Sequence, residues 1–214
     1  EISACLVGSE MCIRDRNIAL ELRSRFDRVA IADLDIVNPY FRTKDSEAEL
    51  KAAGILLISS AFAGSNVDLP ALPQEAYSIT DDRTLRAVMD IGGDDRGALA
   101  LGRYTPFLRA EDDYEMLFVI NKYRPLTRDP ESAAQILHEV ETAGGLPFTA
   151  IVNNSNLGEE TAPEDVLASQ AYADAVTALT GLPVKMTTVK APLVPALRGK
   201  IENLYPLTLQ KKIK

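Results

Sequence analysis

Six short apolar runs punctuate this chain: RVAIAD, GILLIS, LRAVMD, EMLFVIN, FTAIVN and PVKMTTV. Each is nearly continuous in apolar residues instead of alternating. A half-buried strand alternates because one face stays wet, whereas a continuous run needs both faces covered, as in a parallel sheet. Between the runs, ESAAQILHEVETA and PEDVLASQAYADAVTALTG carry apolar residues at three- and four-residue spacing, which predicts helices. The second is read as one helix, stopped by Gly181 and Pro183. Repeated strand and helix units demand right-handed crossovers. The expected fold class is α/β, a single doubly wound and mostly parallel sheet with helices on both faces.

Composition narrows the function classes. The 214 residues are 46% hydrophobic with no long uncharged apolar stretch, so one domain without a membrane span is expected. Neither a basic leader with an apolar core nor a small-residue cleavage site opens the chain, and a cytoplasmic location is the default. A formal charge of −8 opposes broad attachment to nucleic acid or anionic lipid. Cys5 and Cys12 lack His or Cys partners at metal spacing. His138, the only histidine, falls in a predicted helix and is expected at the surface. Any chemistry must therefore use carboxylates, Lys, Arg, amides or a metal.

In sheets of this kind ligands bind beyond the carboxyl ends of the strands. Those ends hold Asp33 and Asp35, the segment Asp90-Ile91-Gly92-Gly93, Asn121 and Asn153. Asp33 and Asp35 suit either a solvated turn or a pair in which one acid works through magnesium and the other positions water. Asp90 can hold a magnesium-bound water, and Gly93 lets a backbone N–H approach a terminal phosphate; a tight turn is the alternative. Asn153, and less so Asn121, can read a nucleobase edge or close an Asx turn. Arg42 and Arg124 can contact phosphate or a partner, with surface solvation as the alternative.

With these residues in place, the chain resembles the MinD/ParA-type P-loop ATPases, the group that includes the nucleotide-binding domains of CobQ/CobB amidoligases. VAIADLDIVNPYFR is similar to that group's D-x-D switch I and VMDIGGDDRGA to its D-x-x-G switch II. The resemblance implies a P-loop NTPase-like fold, ATP and Mg2+ as cofactors, and a nucleotide-dependent homodimer or protein partner. It assigns Asp35 to orienting the attacking water, and Asp90, with Asp33, to the metal. Gly92, Gly93 and Asn153 go to nucleotide binding. An amidoligase synthetase domain and a non-hydrolysing partner-binding scaffold are the alternative functions.

The resemblance has a gap. Its lysine should fall near residues 10 to 14, where Glu10, Met11, Cys12, Ile13 and Arg14 stand. No G-x-x-x-x-G-K-[ST] occurs in the chain, and Gly8 is the only glycine before Gly54. CLVGSEMCIRDR looks like translated adapter sequence, and the likeness begins at Asn17. Residues 1–16 are accordingly read as a non-native segment and 17–214 as the nucleotide-binding domain, inactive without its P-loop. ISACLVG is nevertheless expected to fill the central strand slot, with Met11 to Arg25 as the following helix. Asp33, Asp35, Asp90 and Asn153 are expected around one crevice facing the turn after Val7. The C-terminal NLYPLTLQKKIK is expected to be a loose tail or a docked final strand, not a membrane helix, because Pro206 interrupts it.

Overall fold

The computed structural model describes residues 3–7, 12–34, 47–59, 79, 82–92, 100–111 and 113–208. Asp35, Arg42 and Gly93 lie outside the described residues. Strand β1 (Ser3–Val7) leads to helix α1 (Cys12–Arg23), β2 (Val29–Asp33), α2 (Glu47–Ala52), β3 (Ile55–Ser59) and β4 (Arg86–Ile91). There follow α3 (Thr105–Glu111), β5 (Tyr114–Ile120), α4 (Pro130–Gly144), β6 (Ala150–Asn153), α5 (Pro163–Ala168) and α6 (Gln170–Thr180). The chain closes with β7 (Val184–Lys190), α7 (Val194–Leu197) and β8 (Leu204–Leu207). All described pairings are parallel, in one eight-stranded sheet of order β3-β2-β4-β1-β5-β6-β7-β8.

The continuous apolar runs are explained by two cores, one on each face. Ala30, Ala32, Ala87, Met89, Met116 and Phe118 point to the side covered by α3, α4 and α6. Val29, Ile31, Val88, Leu117, Val119 and Val152 point to the side covered by α1 and α2, against Ile18, Ala19 and Leu50. Burying each such side chain contributes about 1.5–3 kcal/mol, so neither face tolerates a register slip. The tilted contact of Phe118 with Phe148, with ring centroids 5.1 Å apart, anchors the first core.

Residues 3–7 do take the central slot, in register with Val88–Ile91 of β4 on one side and Tyr114–Phe118 of β5 on the other. The helix after them runs from Cys12 to Arg23, within the expected span. The stretch predicted as one helix at 163–180 is two. Its backbone stays helical at Ser169 (φ −83°, ψ −12°), where α5 gives way to α6 and the hydroxyl donates to Val166 O at 2.7 Å. Gly181 stops α6 in the left-handed conformation at φ 74°, as its position suggests. The tail is a docked final strand, since β8 pairs with β7 from Thr187↔Leu204 to Lys190↔Leu207.

Candidate functional site

The alternation that builds the two cores also sorts the candidate residues. Asp33 continues the Val29, Ile31 face of β2, and Asp90 continues the Val88 face of β4, so both carboxylates lie on the α1 side. Register places them directly opposite each other, Asp33↔Asp90, and Leu34 N donates to Asp90 O at 2.9 Å. On the other flank of β4, Leu6 pairs with Asp90 and Val7 with Ile91, so the chain leaves β1 at the level of this acid pair. Gly92 follows β4 and is buried. Asp90 is only 7% exposed.

The first turn of α1 closes over this edge with residues that the sequence did not single out. Arg14 and Asp15 are both buried, and the guanidinium donates to Asp15 Oδ1 from Nε at 3.3 Å and from Nη2 at 3.1 Å. Burial raises the Asp15 pKa to about 6, while Arg14 and a side-chain hydrogen bond with Asp90 oppose the rise. Two carboxyl groups and one guanidinium thus share a water-poor pocket. Nothing in the pattern IRDR distinguishes a buried ion pair from a solvated helix face, so the pair was not legible before the fold was known.

Asn153 shares the carboxyl edge but not the crevice. It stands on β6, three places from β4 in the strand order, and follows the face of Ile151, opposite to that of Asp33 and Asp90. The expected grouping around one crevice is therefore corrected: Asp33 and Asp90 meet, and Asn153 lies beneath α6. Its side chain is fully buried, with Nδ2 donating to Ser169 Oγ at 2.9 Å and Oδ1 accepting from Ser155 N at 3.2 Å. The second bond is the Asx turn offered as the alternative to base reading. Asn121 makes a similar turn through Tyr123 N at 3.0 Å. Thr188 Oγ1 bonds Asn154 Oδ1 at 2.5 Å, extending a neutral network to β7. His138 is exposed beside Glu141, as expected.

The oxygens of Asp33 and Asp90 suit a hard divalent cation that keeps most of its waters. Among the described residues no three His, Cys, Asp or Glu side chains cluster as a complete metal site. A polyphosphate does not fit the residues present. Asp15 adds negative charge beside Asp90 where the phosphates would need a cation, and the lysine-bearing turn is absent from the sequence.

No family model matches the chain, and neither does any curated protein. Among solved structures it is similar to chloroplast FtsY from Physcomitrella patens, at 13% identity and a TM-score of 0.56, over 87% of this chain and 58% of that one. It is also similar to the signal recognition particle 54 kDa protein from Aeropyrum pernix K1 in complex with GDP, at 16% identity and a TM-score of 0.50, over 87% of this chain and 40% of that one. The chain shares with both an open parallel α/β fold. The chain spans less than two thirds of either protein. No helix among the described residues is long and apolar enough to cross a membrane.

Proposed function

We propose that residues 17–214 belong to a magnesium-dependent nucleoside-triphosphate hydrolase of the MinD/ParA type, and that the chain as it stands is inactive because residues 1–16 replace its P-loop. The observation that carries this reading is the register pair Asp33↔Asp90, on one face and beside the exit of β1. Two acids at neighbouring strand ends of a buried sheet are costly unless a cation or a proton compensates them. In this reading Asp90 and Asp33 hold the cation through its water shell, and the cation offsets phosphate charge. Asp35 orients the attacking water. Gly92 and Gly93 leave room for a backbone N–H at the terminal phosphate. Asn153 shapes the loop after β6 from below. ATP is the proposed nucleotide, and a nucleotide-dependent homodimer or a protein partner would read out its state.

The buried Arg14–Asp15 pair favours a second reading, a scaffold that keeps the fold without nucleotide. Replacing residues 1–16 with a strand and a complete P-loop separates the two. The repaired chain is expected to bind ATP in a magnesium-dependent way, with GTP run in parallel because one fold neighbour carries GDP. Asp90→Ala should weaken both binding and turnover, whereas Asp35→Ala should spare binding and suppress phosphate release. Failure of the repaired, folded chain to bind either nucleotide establishes the scaffold. Nucleotide-dependent amide formation on a carboxylic acid would instead identify an amidoligase.

A further inference from the structure

We infer that the loops after β5 and β6 form one rigid docking platform and that it seats a second copy of this chain. Hydrogen bonds stitch the two loops together. Lys122 N donates to Ser155 Oγ at 3.0 Å and Lys122 Nζ to Ala168 O at 3.1 Å, while the Tyr123 hydroxyl donates to Asp165 O at 3.0 Å. Asn156 N donates to Asn121 Oδ1 at 3.4 Å, and Thr127 Oγ1 donates to Asn121 O at 2.9 Å. Two leucines top this frame, Leu126 at 71% exposure and Leu157 at 44%. Each stands next in sequence to a residue bonded to Asn121, Leu126 beside Thr127 and Leu157 beside Asn156, so the two share one small surface. A single exposed leucine is ordinary, but two held out on a stitched frame form a preorganised apolar contact.

Charge selects the occupant. Residues 122–128 carry Lys122, Arg124 and Arg128 and no acid, whereas residues 157–165 carry Glu159, Glu160, Glu164 and Asp165 and no base. The platform is thus a basic half beside an acidic half, with one exposed leucine in each. Arg128 has a side chain 76% exposed and 3.8 Å from Asp129, whose carboxylate is committed to capping α4 through Ser132 N at 2.8 Å and Ser132 Oγ at 2.9 Å. Glu160 and Glu164 are exposed. A surface with both signs side by side is its own complement, because a two-fold axis lays the basic half of one copy on the acidic half of the other and brings Leu126 toward Leu157. Two chains of formal charge −8 repel at long range, but a Debye length of about 8 Å at physiological ionic strength screens that repulsion and spares the facing pairs. The contact uses neither nucleotide nor residues 1–16, so it does not rest on the nucleotide reading.

Sedimentation velocity on the chain as it stands, without nucleotide, tests this. The parent is expected to show a concentration-dependent monomer–dimer equilibrium. Leu126→Ser should raise its Kd about tenfold or more, since a two-fold interface loses the leucine twice. The same variant should melt with the parent, because the side chain it removes is already exposed. Arg128→Glu and Glu160→Arg should each be monomeric alone and should form a heterodimer when mixed one to one, because the two-fold then restores both opposite-sign pairs. That rescue belongs to a second copy and to no other occupant. A parent that stays monomeric up to about 1 mM overturns the inference and leaves the platform to a different partner. So does a dimer indifferent to Leu126→Ser, or a mixture of the two charge variants that stays monomeric.

Discussion

At the ends of β2 and β4 the polar groups are charged: half-buried Asp33, buried Asp90 and, from α1, buried Arg14 and Asp15. At the ends of β5, β6 and β7 they are neutral: Asn121, Asn153, Asn154, Ser155, Ser169 and Thr188, joined largely to one another and to nearby backbone. The same sheet edge and the same parallel ladder support both. Amides and hydroxyls supply donors and acceptors together, so a closed network satisfies itself and rigidifies a loop. Carboxylates only accept, and two of them need a cation or a proton from elsewhere. The neutral half therefore closes on itself, whereas the charged half depends on charge balance.

Removing the buried guanidinium beside Asp15 should break this contrast most visibly. Arg14→Ala leaves Asp15 beside Asp90 without its guanidinium, and a loss of about 3–5 kcal/mol at neutral pH is expected by urea denaturation. A loss below about 1 kcal/mol would mean that the pair is not desolvated in solution.

The next effect is one of pH. The folded Asp15 pKa of about 6 lies above the ordinary 3.8, so folding favours the protonated acid. Its stabilising contribution is complete below pH 3.8 and is lost as pH rises through about 6. Comparing Asp15→Asn with the parent from pH 4 to 8 should remove this slope, and in Arg14→Ala the step should move to higher pH. A slope that persists in Asp15→Asn assigns it to another group.

On the neutral side, Asn153→Ala orphans Ser155 N and one partner of Ser169, and about 1–3 kcal/mol should be lost with no change in pH dependence. A pH-dependent loss would show that the two networks communicate. The smallest effect is expected at His138, whose exposed ring lies beside Glu141: His138→Ala should change stability by under about 0.5 kcal/mol. A larger change would expose a role that the surface position hides.

The strand positions were legible because burial on both faces forces continuous apolar runs, and β2 to β7 all fall on those runs. The Asp33 and Asp90 strand ends were legible for the same reason, since an acid closing such a run stands out. The burial of Ser169 against Asn153, sixteen residues away, was not, because a serine inside a helical pattern reads the same whether it is exposed or buried. Nor was the fate of IRDR, since one helix turn reads the same whether it meets water or Asp90.

The sequence by itself determined the element order, the carboxyl edge as the place for polar chemistry, and the lack of a phosphate-cradling turn. All three follow from local composition and period. The tertiary structure alone decided that Asp33 and Asp90 share a face while Asn153 takes the other, because faces are set by cross-strand register. It alone decided that Arg14 and Asp15 are buried and that Asn17 holds Thr208, because those contacts join segments whose separation along the chain carries no local signal.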